Sequence, residues 1–570
     1  MTVREVRAIW KNVSTGGEKP YLIRPGGVTS YRELHSLVSR ALSAFHAAGV
    51  SRGDRLMIVL EDEAKASAAF VASLLAGIVP VMLPFDIGTT RRESIHRLLE
   101  PALVVENEGI FSSSEGKHEL EEEQDPDQLA YLIFTSGTTS EPSGVEITRR
   151  NLFSHLNTLV RLFGFDSRSR VYNPTPVSHT DGLIFGPLLA VATGGTFIRP
   201  GPLNLAELDG WIGMLRKHRA THMVTNPTVL SLLDRSCDVG MHFGGEDFRG
   251  IISSASLLRP ELWRRFEERS GTQLWNLYGL TETVTSALYA GRHPEMGPVG
   301  SLGKPIDCEA RVGVVSGRPD LASDAHAGEL ELRGTHIFRG YWKNPGRTAA
   351  TITPDGWMKT GDLVRQNEDG SFSFLGRVKS VINSGGTLIR GEEVDECLLR
   401  HPAVLEAVTV GLGDEDFEEI AVSAVVLSDR ISEAALADHC RSELERLKVP
   451  KRVIAVDSIP RGSAGKPNFG KLRDLLHEMM SSNSRPDADQ TASHQKQVIE
   501  LAALVFRTEP ERLSLSSSPQ TVEGWDSFTH INLMLQSEME FSVRIPAGQV
   551  TQVKNLGDLS DLLEKLRRTH

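Results

Sequence analysis

Residues 131–148, YLIFTSGTTSEPSGVEIT, join an apolar strand-like run to a loop of hydroxyls and glycines. Such a loop can wrap phosphate groups: glycine lets backbone N–H groups turn inward, and Thr135, Ser136, Thr138 and Thr139 add hydroxyl donors around Gly137. No lysine follows a closing glycine, so this is not a GxxxxGK[ST] loop. Taken alone, the same residue types also make an ordinary solvent-exposed turn. A second stretch, VEGWDSFTHINLMLQSEMEF at 522–541, puts Ser527 at the start of a helix whose Phe528, Ile531, Leu535 and Met539 share one face. A serine there can act as a helix cap. It is also exposed at the N-terminal end of the helix.

The elements around these residues follow from periodicity. Ser30 and Glu33 form a capping box, and Leu34, Leu37, Val38, Leu42 and Phe45 recur at helical spacing up to Gly49. RLMIVL at 55–60 reads as a strand, followed by a helix through Leu75, a turn at Gly77 and the apolar run VPVMLP. That is a β-α-β unit and predicts a mainly parallel sheet. The acidic stretch EGKHELEEEQDPDQ reads as a solvated loop. At 570 residues the chain exceeds one hydrophobic core, since cores stop growing at roughly 250 to 300 residues. After Gly376 the elements shorten, with strands near 403–411 and 421–428 and a helix near 432–447, predicting a small α+β subdomain. Residues 481–495, SSNSRPDADQTASHQ, are polar and aperiodic and read as a linker. The remaining 75 or so residues suggest a compact helical module.

Hydrophobic residues at 40% and charged residues at 24% describe a soluble globular protein. The net charge of −12 argues against sequence-independent nucleic-acid binding, which needs a basic surface. The longest apolar stretch, 66–84, is interrupted by Ser73, Gly77 and Pro80, and the start lacks a signal-peptide pattern, so no membrane span or export is expected. Cys237, Cys308, Cys397 and Cys440 lie far apart without metal-ligand spacing. They read as reduced thiols of a cytoplasmic protein.

The strand followed by TSGTT-xx-P-x-G is similar to the phosphate loop of the adenylate-forming superfamily of acyl-CoA synthetases, nonribosomal adenylation domains and luciferases. Further motifs match in family order. NLYGLTET, 276–283, resembles the adenine and magnesium motif. It implies Asn276, Tyr278 and Gly279 at the nucleotide, with Tyr278 against adenine, Thr281 at the phosphate and Glu282 as the Mg²⁺ ligand; a hard oxygen suits that ion. GELELRGTHIFRGYWKNP (328–345) and KTGDLVRQNEDGSFSFLGRVKS (359–380) continue the resemblance, which implies Asp362 on the ribose hydroxyls and Arg377 beside ribose and phosphate. Lys379 occupies the family's hinge position, NSGGTLI at 383–389 resembles the thiol-tunnel loop, and PRGSAGKPNFGKL at 460–472 carries Lys466 at the position of the adenylation lysine. The loop has Ser140 where glycine is common and Ser143 where the family usually has lysine. Loss of that lysine removes one phosphate-side charge and implies weaker ATP binding.

WDS-x-x-H-x-x-L around Ser527 resembles an acyl or peptidyl carrier domain, whose serine receives 4′-phosphopantetheine from a separate phosphopantetheinyl transferase. Tethering such an arm behind an adenylating region raises the effective thiol concentration. PVSHTDGLIFGPLLAVATGG at 176–195 aligns with the family's acyl-pocket helix, which contains Phe185. His179 falls where aryl and acyl activators often have histidine, and Asp181 where amino-acid activators keep the aspartate that pairs with an ammonium. Asp181 could equally cap the apolar run that follows it. A small acid is expected, with Asp181 favouring one that bears an amino group, because a buried carboxylate needs a partner.

The expected architecture is therefore an α/β adenylate-forming core (1–376), a smaller, mobile α+β subdomain (377–480), a linker (481–495) and an all-α four-helix carrier domain (496–570). The expected reaction is ATP- and Mg²⁺-dependent formation of an acyl-adenylate from a carboxylic acid, then a thioester on the Ser527 arm, with downstream condensing, modifying or acyl-transfer enzymes consuming it. Two alternatives stand beside it: a ligase that releases acyl-CoA, and a non-catalytic carrier or docking protein whose core has decayed.

Overall fold

The computed structural model describes residues 6–116, 125–135, 142–201, 203, 207–243, 245–315, 326–378, 381–384, 387–414, 418–429, 431–444, 448–461, 467–482, 491–506, 508–522, 525, 527–541, 543, 545, 547–550 and 553–567. The chain divides into two compact units, Met1–Gly201 with Asp209–Phe374, and Pro202–Leu208 with Leu375–His570.

In the first unit the β-α-β reading holds. Arg55–Ile58, helix Glu63–Ala76 and Val79–Met82 follow in order, and the two strands pair in parallel. Asp62 starts the helix by accepting from the Ala64 and Lys65 amides at 2.8 and 3.0 Å, and Gly77 stops it with φ at 70°. The Ser30–Glu33 capping box also forms: the Ser30 hydroxyl accepts from the Glu33 amide at 3.2 Å, and Glu33 accepts from the Ser30 amide at 2.6 Å.

Among the described residues three sheets build this unit. A six-stranded sheet runs Gly340–Tyr341, Ser143–Thr148, Leu129–Thr135, Val79–Met82, Arg55–Ile58 and Leu103–Val105. Its centre is parallel and its first two strands are antiparallel additions. A nine-stranded sheet has a parallel middle that includes His222–Thr225, Gly250–Ser253 and Leu274–Tyr278. A four-stranded sheet ends on Met358–Gln366 and Phe372–Arg377. One continuous apolar cluster joins all three, from Ile133 and Ile147 through Val224 and Ile252 to Leu332 and Val364.

In the second unit the strands Val404–Asp414 and Glu418–Leu427 pair antiparallel, with helices Gly391–Leu399, Glu433–Glu443 and Phe469–Ser482 alongside in the chain. Side-chain alternation divides the sheet's two faces: Ala407, Ala421 and Val425 belong to one apolar cluster, and Val408, Val410, Val422 and Ala424 to another. Further on, helices Thr491–Phe506, Ser527–Phe541, Ala547–Val550 and Leu556–Arg567 share a separate apolar cluster around Leu501, Leu533, Leu559 and Leu563. The expected face of Phe528, Ile531, Leu535 and Met539 lies outside the described side chains; those seen buried on this helix include Leu533, Met534, Ser537 and Phe541. The helix is apolar on more than one side, so periodicity alone does not select its inner face. Among the described residues no helix is long and apolar enough to cross a membrane.

Candidate active site

The hydroxyl-rich loop lies between two directly paired strands. Phe134 stands opposite Gly144 and Thr135 opposite Ser143, so the segment between them closes an antiparallel hairpin. Ser136, Gly137, Thr138, Thr139 and Ser140 lie outside the described residues, as does the Thr135 side chain. A Cβ on Gly144 would sit 3.1 Å from both Phe134 Cζ and Trp342 Cβ, tighter than ordinary packing, so glycine lets the hairpin and the Gly340–Tyr341 strand approach.

The Leu274–Tyr278 strand delivers the next group. Its parallel orientation brings Asn276 and Tyr278 toward the C-terminal edge of the sheet, where open α/β folds bind ligands. Asn276 is buried, and its side-chain oxygen has no hydrogen-bond partner. An orphaned buried acceptor of this kind is costly unless a ligand donor fills it. The Tyr278 hydroxyl donates to Asp362 Oδ2 at 2.7 Å. Asp362 is only 2% exposed and follows Gly361, whose φ is 75° and whose amide donates to Glu329 at 2.9 Å. This fixes the aspartate at the strand edge.

Gly279 follows, and a Cβ there would lie 2.2 Å from the Thr285 carbonyl oxygen and 2.4 Å from Ser286 Cα. The turn Thr281–Thr283 then presents Thr281 and Glu282, both half-buried, before Val284 takes a positive φ of 64°. A β-branched residue in that region is strained. Beneath it the buried His155 Nε2 bonds Thr285 Oγ1 at 2.6 Å, and burial, reinforced by neighbouring His336, holds the imidazole neutral with its pKa well below the usual value. Replacing Gly279 with alanine is expected to displace this turn, costing about 1–3 kcal/mol of stability. Thermal unfolding with and without an ATP analogue checks it: an unchanged Tm and nucleotide affinity would refute the close approach.

Glu282 is tied twice to the segment that leads into and forms the Gly340–Tyr341 strand. Its carbonyl accepts from the Phe338 amide at 2.8 Å, and its Oε1 accepts from the Tyr341 hydroxyl at 2.7 Å. Burial, and then the facing Glu282 carboxylate, raise the Tyr341 pKa well above the ordinary phenol value, so it stays a donor. Among the described residues no cluster of three or more His, Cys, Asp or Glu could hold a metal. One oriented carboxylate fits Mg²⁺, which commonly takes one or two protein carboxylates and completes its shell with water and substrate phosphates.

In the 176–195 segment the expected acyl-pocket helix is broken. Thr180–Leu183 is one short helix, Gly186 has non-helical φ/ψ of −101° and −108° beside Pro187, and Leu189–Thr193 resumes. The cap of the first piece is His179, not Asp181: His179 Nδ1 accepts from the Asp181 amide at 3.4 Å. Asp181 sits inside the first turn, is 6% exposed, and accepts from the Ser254 hydroxyl at 2.7 Å. Ser254 directly follows the Gly250–Ser253 strand, so Asp181 joins the same sheet edge as Asn276. Phe185 is fully buried in the main core.

Arg377 ends the Phe372–Arg377 strand, whose last three residues belong to the second unit, and its amide donates to Glu392 Oε1 at 3.1 Å. Lys379 and Lys466 lie outside the described residues. Arg461 and Pro467 pair in an isolated bridge on either side of the segment that carries Lys466. Ser527 is the first residue of its helix, though its side chain is outside the described set. Just before it, Trp525 stacks on Phe506 at 4.4 Å and donates its indole N–H to His530 Nδ1 at 3.0 Å. His530 therefore donates through Nε2 to the Val550 carbonyl at 3.0 Å.

A sheet edge carrying an unpartnered buried amide oxygen and a tyrosine–aspartate pair, an oriented carboxylate and a hydroxyl-rich hairpin on an α/β core fit a protein of the adenylate-forming class. The chain belongs to the AMP-binding enzyme family, whose model matches residues 9–342, with the AMP-binding enzyme C-terminal domain matching 393–466. It is 31% identical over 493 residues to sulfoacetate–CoA ligase of Cupriavidus necator, covering 80% of this chain and 94% of that one. It is 32% identical over 348 residues to oxalate–CoA ligase of Arabidopsis thaliana, covering 60% of this chain and 66% of that one. The fold is that of ATP-bound MatB from Rhodopseudomonas palustris, with TM-score 0.74 at 23% identity, covering 84% of this chain and all of that one, 100%. Tyr341, Arg347 and Ser254 were not singled out from sequence. Tyr341 lies inside the quoted RGYWKNP motif, but its contact with Glu282 spans 59 positions.

Proposed function

We propose that this chain is an AMP-forming acid–thiol ligase. A carboxylate oxygen attacks the α-phosphorus of ATP, pyrophosphate leaves, and a thiol then attacks the acyl carbon with release of AMP. The observation that carries this reading is the pairing of Tyr278 with Asp362 beside a Glu282 held by Tyr341.

In this reading Asn276 and Tyr278 hold the adenine, Asp362 takes the ribose hydroxyls, Arg377 lies beside ribose and phosphate, and Thr135 to Thr139 and Thr281 cradle the phosphates. Glu282 would hold Mg²⁺, which supplies positive charge where anion approaches anion. Lys466 adds an ammonium at the same developing charge, and Lys379 is the hinge. The test is acid-dependent ATP–pyrophosphate exchange across a panel of small acids. Any acid-dependent exchange also excludes a decayed, non-catalytic core; its absence with every acid would overturn the reading.

The names of the ligase relatives support coenzyme A as the acceptor thiol. One observation favours a second reading, an own arm on Ser527: a helical module with its own apolar core follows residue 466, where the family models end.

For the acid, His179, Asp181 and Phe185 remain the proposed pocket. A buried carboxylate bonded to a neutral hydroxyl still needs a counter-charge, which a substrate ammonium would provide. Asp181→Ala is expected to erase most of any preference for amino acids over their deamino analogues, a change of about tenfold or more in kcat/KM ratio. If the ratio stays put, the amino group is not read here.

A further inference from the structure

The hairpin that should bind phosphate has Ser143 at the position where a lysine would add charge. Ser143 is 8% exposed and heads the strand that returns from the loop. A cation stands on it nonetheless. The Arg347 guanidinium donates from Nη1 to Ser143 Oγ, and its Cζ lies 4.0 Å above the Tyr341 ring.

Local structure explains how an arginine 204 positions away arrives there. Gly340–Tyr341 pairs antiparallel with the loop's return strand, Tyr341 opposite Val145, and the Trp342 amide donates to the Gly144 carbonyl at 2.8 Å. The chain then turns at Asn344, whose side chain accepts from the Arg347 amide at 2.9 Å and starts the helix Pro345–Thr351. The Tyr341 amide in turn donates to Thr348 Oγ1 at 2.9 Å, clamping that helix to the strand. Arg347 is thus delivered to Ser143 by the same strand whose tyrosine orients Glu282. Among the described residues no carboxylate forms an ion pair with it.

We infer that Arg347 binds the polyphosphate tail of the nucleotide, supplying from a neighbouring helix the positive charge that position 143 lacks. This rests on the ligase reading above. The tail, rather than the AMP part, follows from the geometry. Arg347 and the divalent-cation carboxylate Glu282 flank one tyrosine, whereas the Tyr278–Asp362 pair is tied to the nucleoside. A planar guanidinium can grip phosphate oxygens through two parallel N–H bonds, and a ring face beneath it holds it oriented. Ser143 is small enough to let that head lie across the strand, where a lysine would compete for the space.

Binding of the non-hydrolysable α,β-methylene analogue of ATP, and separately of AMP, to the full chain tests this by calorimetry. Arg347→Ala is expected to weaken the analogue about tenfold while AMP changes less than about twofold, and Arg347→Lys, which keeps the charge but not the planar fork, to fall between wild type and alanine. Adding Ser143→Lys to Arg347→Ala is expected to regain most of the loss. Equal affinity of wild type and Arg347→Ala for the analogue overturns the inference, as do equal losses for both nucleotides or no regain in the double variant. A wild-type protein that binds neither nucleotide overturns the ligase reading itself.

Discussion

Replacing Lys466 with alanine is expected to lower acid-dependent ATP–pyrophosphate exchange by about 10²- to 10³-fold, the usual loss when one preorganised stabiliser of developing charge is removed. The reason lies in the first half-reaction. A carboxylate is an anion and so is the α-phosphate, and in the proposed site Glu282 and the ion it would hold offset charge from only one side. Tyr341 fixes Glu282 in place at 2.7 Å, which leaves that contribution unchanged in the variant. In the proposed site ATP is held by the sheet edge and the hairpin rather than by Lys466, so its dissociation constant is expected to move less than about threefold. The second half-reaction, in which a thiol displaces AMP from a supplied acyl-adenylate, needs no charge offset at the α-phosphorus and should survive far better. The split between the two half-reactions is the readout. Near-normal exchange in Lys466→Ala would remove the lysine from the mechanism, and equal losses in both half-reactions would make its role structural. Arg461 and Pro467 pair on either side of the segment, so substitution at 466 leaves those flanking contacts available.

Local signals were legible in the sequence and long-range ones were not. The Ser30 box, the Asp62-to-Gly77 helix and the strand on either side of it depend on residues within one or two turns of each other, and all form. The stretch proposed to hold the nucleotide stands out in the sequence because its residues are contiguous: Asn276 to Glu282 leave one strand and enter one turn. The Tyr278–Asp362, Glu282–Tyr341 and Ser143–Arg347 pairs join residues 84, 59 and 204 positions apart. No periodicity connects such residues; only strand pairing brings them together. The helix around 176–195 failed for a different reason. Its apolar run satisfies helical spacing, but Gly186 and Pro187 break the ladder, and a Cβ on Gly182 would sit 1.9 Å from the Pro176 carbonyl oxygen. His179 took the cap because its backbone is extended at φ −97° and ψ 148°, which places Asp181 within the first turn, where it meets Ser254.

Ser527→Ala is expected to abolish self-acylation of protein treated with a phosphopantetheinyl transferase, while acyl-CoA formation from free coenzyme A stays within about twofold of wild type. The two outcomes separate the competing thiols, because the acyl-adenylate is common to both and the core that makes it is untouched. Ser527 heads a helix of 15 residues, where backbone N–H groups without intrahelical partners and the helix dipole both favour a phosphodiester. Just before that helix, Trp525 stacks on Phe506 and donates to His530, which packs the start of the element. Intact-mass measurement before and after transferase treatment shows whether the arm is installed and whether alanine prevents it. If installed, the arm competes with free coenzyme A at an effective concentration of roughly millimolar order, as tethered partners reach. Self-acylation faster than transfer to millimolar coenzyme A would then make the arm the working acceptor. No mass change on wild-type protein, together with efficient acyl-CoA release, would leave coenzyme A as the thiol and Ser527 as an ordinary first-turn residue of its helix.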